Sequence, residues 1–579
     1  MRFTKKISIL LILVLLSGTM SACGQKDSID YTSWLPDSYQ NGNSGSTTQE
    51  QSGIHSRYEG SITTDQSNAT KSYSADQMIS MLTEGRSEDL AEALWQEQIA
   101  NGIYSVTQEE LKKNMLVYYV SSSEGDDNNL GISPDSPKKS LEGLAGISNI
   151  TVLLKCGDTF DMNNTFYAGS GCIYATYGVG KRPVLNFYRD IGMTFQRVTN
   201  YTNVWQADLS EIEEIVNDSE SMNNCNIGQL CINGTTNWKR LYVSTSESQG
   251  FNYADALQQR ADNSWSVDWI NSSFYMYSES DPNNMEILIA PDRHGIYLAT
   301  AENTIVKGWE ITGVGAHACY INECTAVTVT NCYFHNIGGA YHRSAGVRYG
   351  NAVQVWNGGA DITVSFNYAD WIFDSCYTDQ GSSSEAVGNN IVFQNNIGAH
   401  SFTGIETWSD IYTDKEFNHL LYAGNILYAM CDITDPDNHL YSDSNGKVIT
   451  ENGDETEYVS YRGGYTYNQM ACLNASLSKT ENGLLIQDNI FWKTNRVLLL
   501  LNNGSEGYPY LYNNLFWEWV PSGAECLYRY TDSNGKKIFS NDLMLPENYQ
   551  SVYIEGTDTD CNQEYARLHA ALCRVMGEE

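Results

Sequence analysis

The chain has 579 residues, with 34 basic and 70 acidic side chains and a formal net charge of −36. Such an excess of carboxylates repels phosphate backbones and anionic headgroups, which excludes nucleic acid and a bare membrane surface as expected partners. The charge favours solubility and carries no information about fold.

Arg2, Lys5 and Lys6 form a positive start, Ile7 to Leu16 is a short apolar run, and small residues lead to Ser21-Ala22-Cys23. The run is too short to span a bilayer as a stable helix, so residues 1–22 read as a secretion signal. The ending Met20-Ser21-Ala22-Cys23 resembles a bacterial lipoprotein signal, which implies cleavage before Cys23 and lipidation of its thiol. Loss of Arg2, Lys5 and Lys6 takes the charge from −36 to −39. No later stretch is long and apolar enough for a membrane helix, so the expected attachment is the N-terminal lipid alone, on the outer side of the bacterial cell membrane. Residues 23–74 are rich in Ser, Thr, Gln, Asn, Gly and Asp and are expected to be a disordered tether.

Residues 75–115 read as a helical segment. Ser87 precedes Glu88 and Asp89 as an N-cap, Leu90, Ala93 and Leu94 follow at helical spacing, Gly102 fits the position just past the helix end, and Thr107-Gln108-Glu109-Glu110 is a capping box. The apolar stripe is narrow, so the segment is expected to dock on a larger body, at its end. Once Cys23 is set aside, thirteen of the 14 Cys remain, scattered without CxxC pairs, so zinc spacing is absent. Cys319, Cys332, Cys376 and Cys472 sit in apolar strand patterns, where a buried free thiol is the expected state.

From Val117 onward short β-rich segments alternate with Gly, Asn and Asp. One pattern recurs: AVTVTNCYF at Asn331, ITVSFNYAD at Asn367, IVFQNNIG at Asn396, LLYAGNILY at Asn425, LLIQDNIFW at Asn489 and PYLYNNLFW at Asn514. The spacings of 36, 29, 29, 64 and 25 residues suit coils of variable loop length, with one coil missed or interrupted after Asn425. Coils that bury a face only by stacking make a solenoid, and one Asn per coil would stack into a ladder of side-chain amides.

These coils resemble the right-handed parallel β-helix proteins of the pectate-lyase-like superfamily. Tyr118-Tyr119-Val120, Gly125-Asp126-Asp127, Lys139-Ser140-Leu141, the stretch from Leu154 to Phe160 and that from Tyr177 to Leu185 look like the family's first coils. The resemblance covers roughly residues 117–520. It implies an all-β solenoid over 116–535 that handles polysaccharides, and leaves the reaction open among lyases, hydrolases, epimerases and binders. Residues 206–290 break the pattern and read as a β insertion. Residues 536–579 read as a C-terminal cap, with a helix at 562–576 over the last coil.

Aligning the coils brings a second strand of each into register. Period-two alternation then turns Tyr320, Gln354, Tyr377 and Glu406 outward in one column, and Asn322, Trp356, Asp379 and Trp408 in another. Aromatic faces suit sugar rings, while amides and carboxylates suit hydroxyls. Asp379 and Glu406, on adjacent coils, should have Cα atoms about 8 Å apart and carboxyl groups about 5–9 Å apart. Glycoside hydrolysis needs such a pair, with Glu406 as the acid and Asp379 as nucleophile or base. His317, His335, His342 and His400 cluster in the same region. His335 and His400, four residues past their Asn with Trp371 between them, are expected to occupy one place in their coils and to orient substrate or tune a carboxylate.

Two other readings stay open. A polysaccharide lyase, as the resemblance allows, would use Arg343 or Arg348 as its base and a Ca²⁺ ion bound by Asp370, Asp374 and Asp379. A non-catalytic glycan-binding or adhesive surface protein would carry the aromatic platform without a poised carboxylate pair. In each reading the chain acts as a monomer on a polysaccharide or oligosaccharide, and no cofactor is firmly implied.

Overall fold

The computed structural model describes residues 73–103, 110, 114, 116–210, 226–241, 243, 248–268, 270–342, 347–381, 388–408, 417–430, 448–449, 455–456, 471–476, 484–493, 497–502, 510–519, 528–531, 537–540, 550–555 and 562–578. The secretion signal, Cys23, nearly all of the tether and the Thr107 capping box lie outside them. No helix among the described residues is long and apolar enough to cross a membrane.

Each coil contributes a strand to each of three parallel sheets. In the first, Cys319, Val353, Tyr377, Ile405, Leu473 and Leu499 lie in register. In the second the row is Val327, Ile362, Ile391, Leu420 and Leu484, and in the third Phe334, Ala369, Gly398, Leu427 and Phe491. The apolar members of the second and third rows that carry side chains are fully or almost fully buried in one core. The fold is a right-handed parallel β-helix.

The Asn ladder fixes the turn between the second and third sheets. Asn367, Asn396, Asn425, Asn489 and Asn514 are fully or almost fully buried, and each of the first four donates Nδ2 to the next Oδ1 at 2.9–3.0 Å. Asn425 reaches Asn489 directly, so the 64-residue interval is one coil with a long insertion, not a missed coil. Asn331 is not a rung. Tyr333 pairs with Tyr368, which puts Cys332 opposite Asn367, and it is the Cys332 N–H that donates to Asn367 Oδ1. Asn331 instead sits one residue earlier at φ 57° and donates to Gln98 Oε1.

Helix α1 (Ala75–Thr83) starts with a capping box in which Ser74 and Gln77 exchange hydrogen bonds. Helix α2 (Ser87–Ala100) begins one residue before the expected position, with Arg86 at the cap and Ser87 already helical. Gly102 takes φ 77°, as the sequence predicts for the residue past the helix end. An insertion follows Asn186. It holds two small antiparallel sheets, whose strands run from Phe195–Arg197 to Ile287–Pro291, and helix α3 (Tyr253–Gln258). It therefore begins earlier than 206. Helix α4 (Asn562–Met576) closes the described chain.

The helices cover a side of the solenoid. The outward row Tyr333, Tyr368, Ile397, Ile426, Ile490 and Leu515 on the third sheet packs with Met78, Leu82, Leu90, Leu94, Leu568 and Leu572. Each such aliphatic side chain contributes about 1.5–3 kcal/mol on burial. This side-on packing replaces the expectation that both helical pieces sit over the ends. Its polar anchor is Arg182, which donates to the carbonyls of Asn331 (2.8 Å) and Ala91 (2.7 Å) and lies 4.8 Å from the Trp95 ring centre. Arg182→Met should leave the Asn331 carbonyl without this donor, at about 1–3 kcal/mol, and take from the Ala91 carbonyl a bond additional to its helical one. Limited proteolysis is expected to cut within 73–103 sooner while the β-helix core resists; unchanged cleavage would show that apolar packing alone holds the helices.

Candidate functional site

The outer face of the first sheet carries a continuous polar network. Where the chain enters this sheet, a side chain in each coil accepts from the backbone of the next. His317 N–H donates to His294 Nδ1 (3.3 Å), Asn351 N–H to His317 Nδ1 (3.0 Å) and Ser375 N–H to Asn351 Oδ1 (2.8 Å). Asn351 Nδ2 donates to Gln354 Oε1 (2.7 Å), Ser375 Oγ to Glu406 Oε2 (2.6 Å), and Gln380 Nε2 to the same Glu406 oxygen (2.7 Å). Glu406 is partly exposed and is held as an acceptor by two neutral donors.

The outward columns follow from the register. One runs Tyr167, Tyr297, Tyr320, Gln354, Thr378 and Glu406; its neighbour runs Ala299, Asn322, Trp356 and Gln380, and the backbone register continues to Trp408. Tyr320, Gln354, Glu406 and Trp356 therefore take the expected columns, and Trp408 the expected strand position. Tyr320 and Trp356 are partly exposed, while Gln354 is buried beneath its neighbours.

Tyr377 and Asp379 do not face outward. Val353 pairs with Tyr377 and Val355 with Asp379, one residue off the expected alignment, and a one-residue slip moves every side chain to the opposite face. Tyr377 fills the core, its hydroxyl donating to the Ile397 carbonyl at 2.8 Å. Asp379 is fully buried in the inner column between Val355 and Thr407. Burial, and after it the Asp379 charge, push the Tyr422 phenol well above its ordinary value. The expected Asp379–Glu406 pair across the outer face is therefore not formed.

His335 and His400 belong to the third sheet, away from Glu406. His335 pairs in register with Asp370, and His400 lies one residue beyond the matching position, in a corner that repeats at Asn336, Trp371, His400, Ala429 and Lys493 with φ between 44° and 54°. The two imidazoles thus differ in place. His335 Nε2 meets Glu310 Oε1 at 3.1 Å; His400 Nδ1 meets the fully buried Asp370 at 2.9 Å and stacks on Trp371. Asp370 on this sheet and Asp379 in the core do not converge with Asp374 on one ion. Among the described residues no group of three or more His, Cys, Asp or Glu is arranged to hold a metal.

The insertion walls the edge where the chain enters the first sheet. Trp238 stacks on Phe373 with ring centres 6.1 Å apart, and Tyr349 donates to Asp292 at 2.8 Å. Arg348 is fully buried in this wall. It donates to the carbonyls of Gly339 (2.6 Å) and Gly228 (3.2 Å) and lies 4.3 Å from the Phe373 ring centre, so it is a structural cation rather than a base facing substrate. Arg343 lies outside the described residues. Cys156, Cys172, Cys231, Cys319, Cys324, Cys332 and Cys376 are buried free thiols.

Burial, and then His342, push His294 down to about 4; burial with His294 and His342 hold His317 well below the ordinary imidazole value. Both are neutral in the folded protein, whereas the unfolded chain takes up protons from about pH 6.5 downward. The unfolded state then binds more protons, so stability rises with pH in this window and is lost as pH falls from about 6.5 towards 4. Denaturation midpoints of His294→Gln and His317→Gln should fall less steeply across that window than those of the native chain; equal slopes would mean the two imidazoles contribute nothing to acid sensitivity.

No family model matches the chain, and no curated protein is similar to it. Among solved structures it is similar to a glycoside hydrolase, at 9% identity over 76% of this chain and 95% of that one, with a TM-score of 0.37. It is also similar to XylC in complex with xylose, at 11% identity over 69% and 70%, TM-score 0.36. A third similar structure is pectate lyase Pel9A, at 12% identity over 73% and 78%, TM-score 0.33.

Six residues of this face escape the sequence reading: Tyr167, His294, Tyr297, Asn351, Ser375 and Gln380. Tyr167, His294 and Tyr297 belong to coils that carry no Asn rung to align, with the insertion between Tyr167 and the other two. Ser375 and Gln380 become legible only when the register of their strand is corrected.

Proposed function

We propose that this chain is an exported, lipid-anchored carbohydrate-active protein that cleaves a polysaccharide by glycoside hydrolysis on the outer face of the first sheet. The observation that carries this reading is Glu406, a partly exposed carboxylate fixed by Ser375 and Gln380 within an outward column of Tyr, Gln and Thr. Glycoside cleavage needs one carboxyl that stays ionised and one that delivers a proton. Two neutral donors on one oxygen suit Glu406 to the ionised role, not the acid role expected from the sequence. With Asp379 in the core, we assign the proton donor to Asp374. It is partly exposed and directly precedes Ser375, one of the two donors to the Glu406 carboxyl.

The test is incubation of the purified protein with neutral and uronate polysaccharides, with and without EDTA. New reducing ends without the ultraviolet absorbance of an unsaturated uronate, lost in Glu406→Gln and Asp374→Asn, are the expected result. Absorbance that disappears with EDTA would make the reaction a Ca²⁺-dependent elimination and overturn hydrolysis. Binding without any product would make the face a glycan-binding surface.

A further inference from the structure

We infer that His294, His317, Tyr297 and Tyr320 form a second sugar subsite at the far end of the face from Glu406, with each imidazole fixed as an Nε2–H donor. The inference rests on the carbohydrate reading above and adds to it where a remote part of the ligand is held and what chemistry recognises it.

The four rings make one cluster. Ring centres are 5.2 Å apart for His294 and His317, 4.8 Å for His294 and Tyr320, 4.9 Å for Tyr297 and Tyr320, and 5.2 Å for His317 and Tyr320. The two imidazoles are within 6° of parallel. His294, Tyr297 and Tyr320 are partly exposed, so part of the cluster faces solvent. Because a backbone N–H points at Nδ1 of each imidazole, that nitrogen is an acceptor and the ring proton resides on Nε2. The same two hydrogen bonds hold both rings in place between coils.

Two neighbouring charges are turned to other partners. Asp292 accepts from Tyr349 and Asn226, and Arg293 donates to the Asn163 carbonyl and the Asn164 side chain. His342, from the hairpin Ala340 to Tyr349, lies edge-on to Tyr349, and its own pKa is lowered by burial. Burial, then Tyr297, keep the Tyr320 phenol above its ordinary value, so it stays neutral. Glu323 adds its charge to that push on Tyr320, and the four rings themselves are uncharged and present aromatic faces with N–H and O–H donors. That chemistry fits an uncharged sugar ring bearing oxygen acceptors.

The register gives the span. From Tyr297 to Glu406 the column advances four coils, about 19 Å at roughly 4.8 Å per coil. One sugar residue cannot touch both ends, so the ligand is an oligosaccharide of several residues lying along the solenoid axis.

Two measurements on the full chain test this. Histidine-selective ¹⁵N NMR, assigned with His294→Gln and His317→Gln, should show both imidazoles as neutral Nε2–H tautomers at about pH 5.5, a unit below the ordinary imidazole value. A cationic ring there would overturn the donor assignment. Short and long members of the xylan, cellulose, mannan and galactan oligosaccharide series are then assayed with native protein and the Tyr297→Ala/Tyr320→Ala double variant. KM for long members should rise about tenfold with kcat and short members unaffected, as expected for loss of two aromatic contacts. Equal effects on short and long members, or none, would remove the subsite while leaving Glu406 in place. If the native chain neither binds nor cleaves any series or polysaccharide, the carbohydrate reading fails and the subsite with it.

Discussion

Asn396→Ala is expected to destabilise the fold by about 3–6 kcal/mol, a large share of the roughly 5–15 kcal/mol that separates folded from unfolded chains. The native side chain is fully buried. Its Nδ2 donates to Asn425 Oδ1 (3.0 Å) and to the Val364 carbonyl (2.9 Å), and its Oδ1 accepts from both the backbone N–H and Nδ2 of Asn367 (3.0 Å each). Alanine leaves the Asn367 N–H and one Asn367 amide proton buried without partners, at about 1–3 kcal/mol apiece before relaxation, and takes from the Val364 carbonyl a hydrogen bond additional to its strand pairing. Asn396→Asp should be at least as damaging, since an oxygen would then face the Val364 carbonyl and the Asn425 oxygen while a charge is buried. Asn389→Ala, exposed on the second sheet of the same coil, is the control and should stay within about 0.5 kcal/mol. Urea midpoints decide it: if Asn396→Ala and Asn389→Ala unfold together, the ladder is a by-product of the turn and not a source of stability.

The ladder also explains what was legible in the sequence. From Asn367 to Asn514 an Asn with three or four buried hydrogen-bonding partners recurs at successive coil turns, so the repeat is legible in the sequence as a solenoid. It marks where the second sheet turns into the third and nothing further round. The connection from the third sheet back to the first varies from coil to coil. Only Phe373 and Asp374 lie between the strands ending at Ile372 and starting at Ser375, whereas a hairpin intervenes between Ile337 and Val353. Register in the first sheet therefore cannot be carried over from the rungs, and that is where the alignment slipped. The segment Ser375-Cys376-Tyr377-Thr378-Asp379 reads equally well in either phase. The actual phase buries a carboxylate, the choice that apolar patterning argues against. Arg348 shows a related effect: a cation in an acidic region looks available in sequence, while two backbone carbonyls and the Phe373 ring make it part of a wall.

Glu406→Gln and Asp379→Asn should therefore have opposite consequences. The side chain introduced by Glu406→Gln keeps an oxygen that accepts from Ser375 and Gln380, so fold and glycan binding are expected to persist. An amide neither ionises nor exchanges a proton, and loss of a positioned acid–base group typically removes about 10²–10⁴ in rate. The expected signature is a fall of that size in kcat with KM little changed, the mark of an interaction made in the transition state. Asp379 touches the interior, where Tyr422 feels its charge, so Asn there should shift the unfolding midpoint and leave kcat within a few-fold. Steady-state kinetics beside denaturation curves for the two variants separate these roles. A folded Asp379→Asn protein without turnover would return the chemistry to the residue that the register places inside, and a fully active Glu406→Gln would remove it from the outer column altogether.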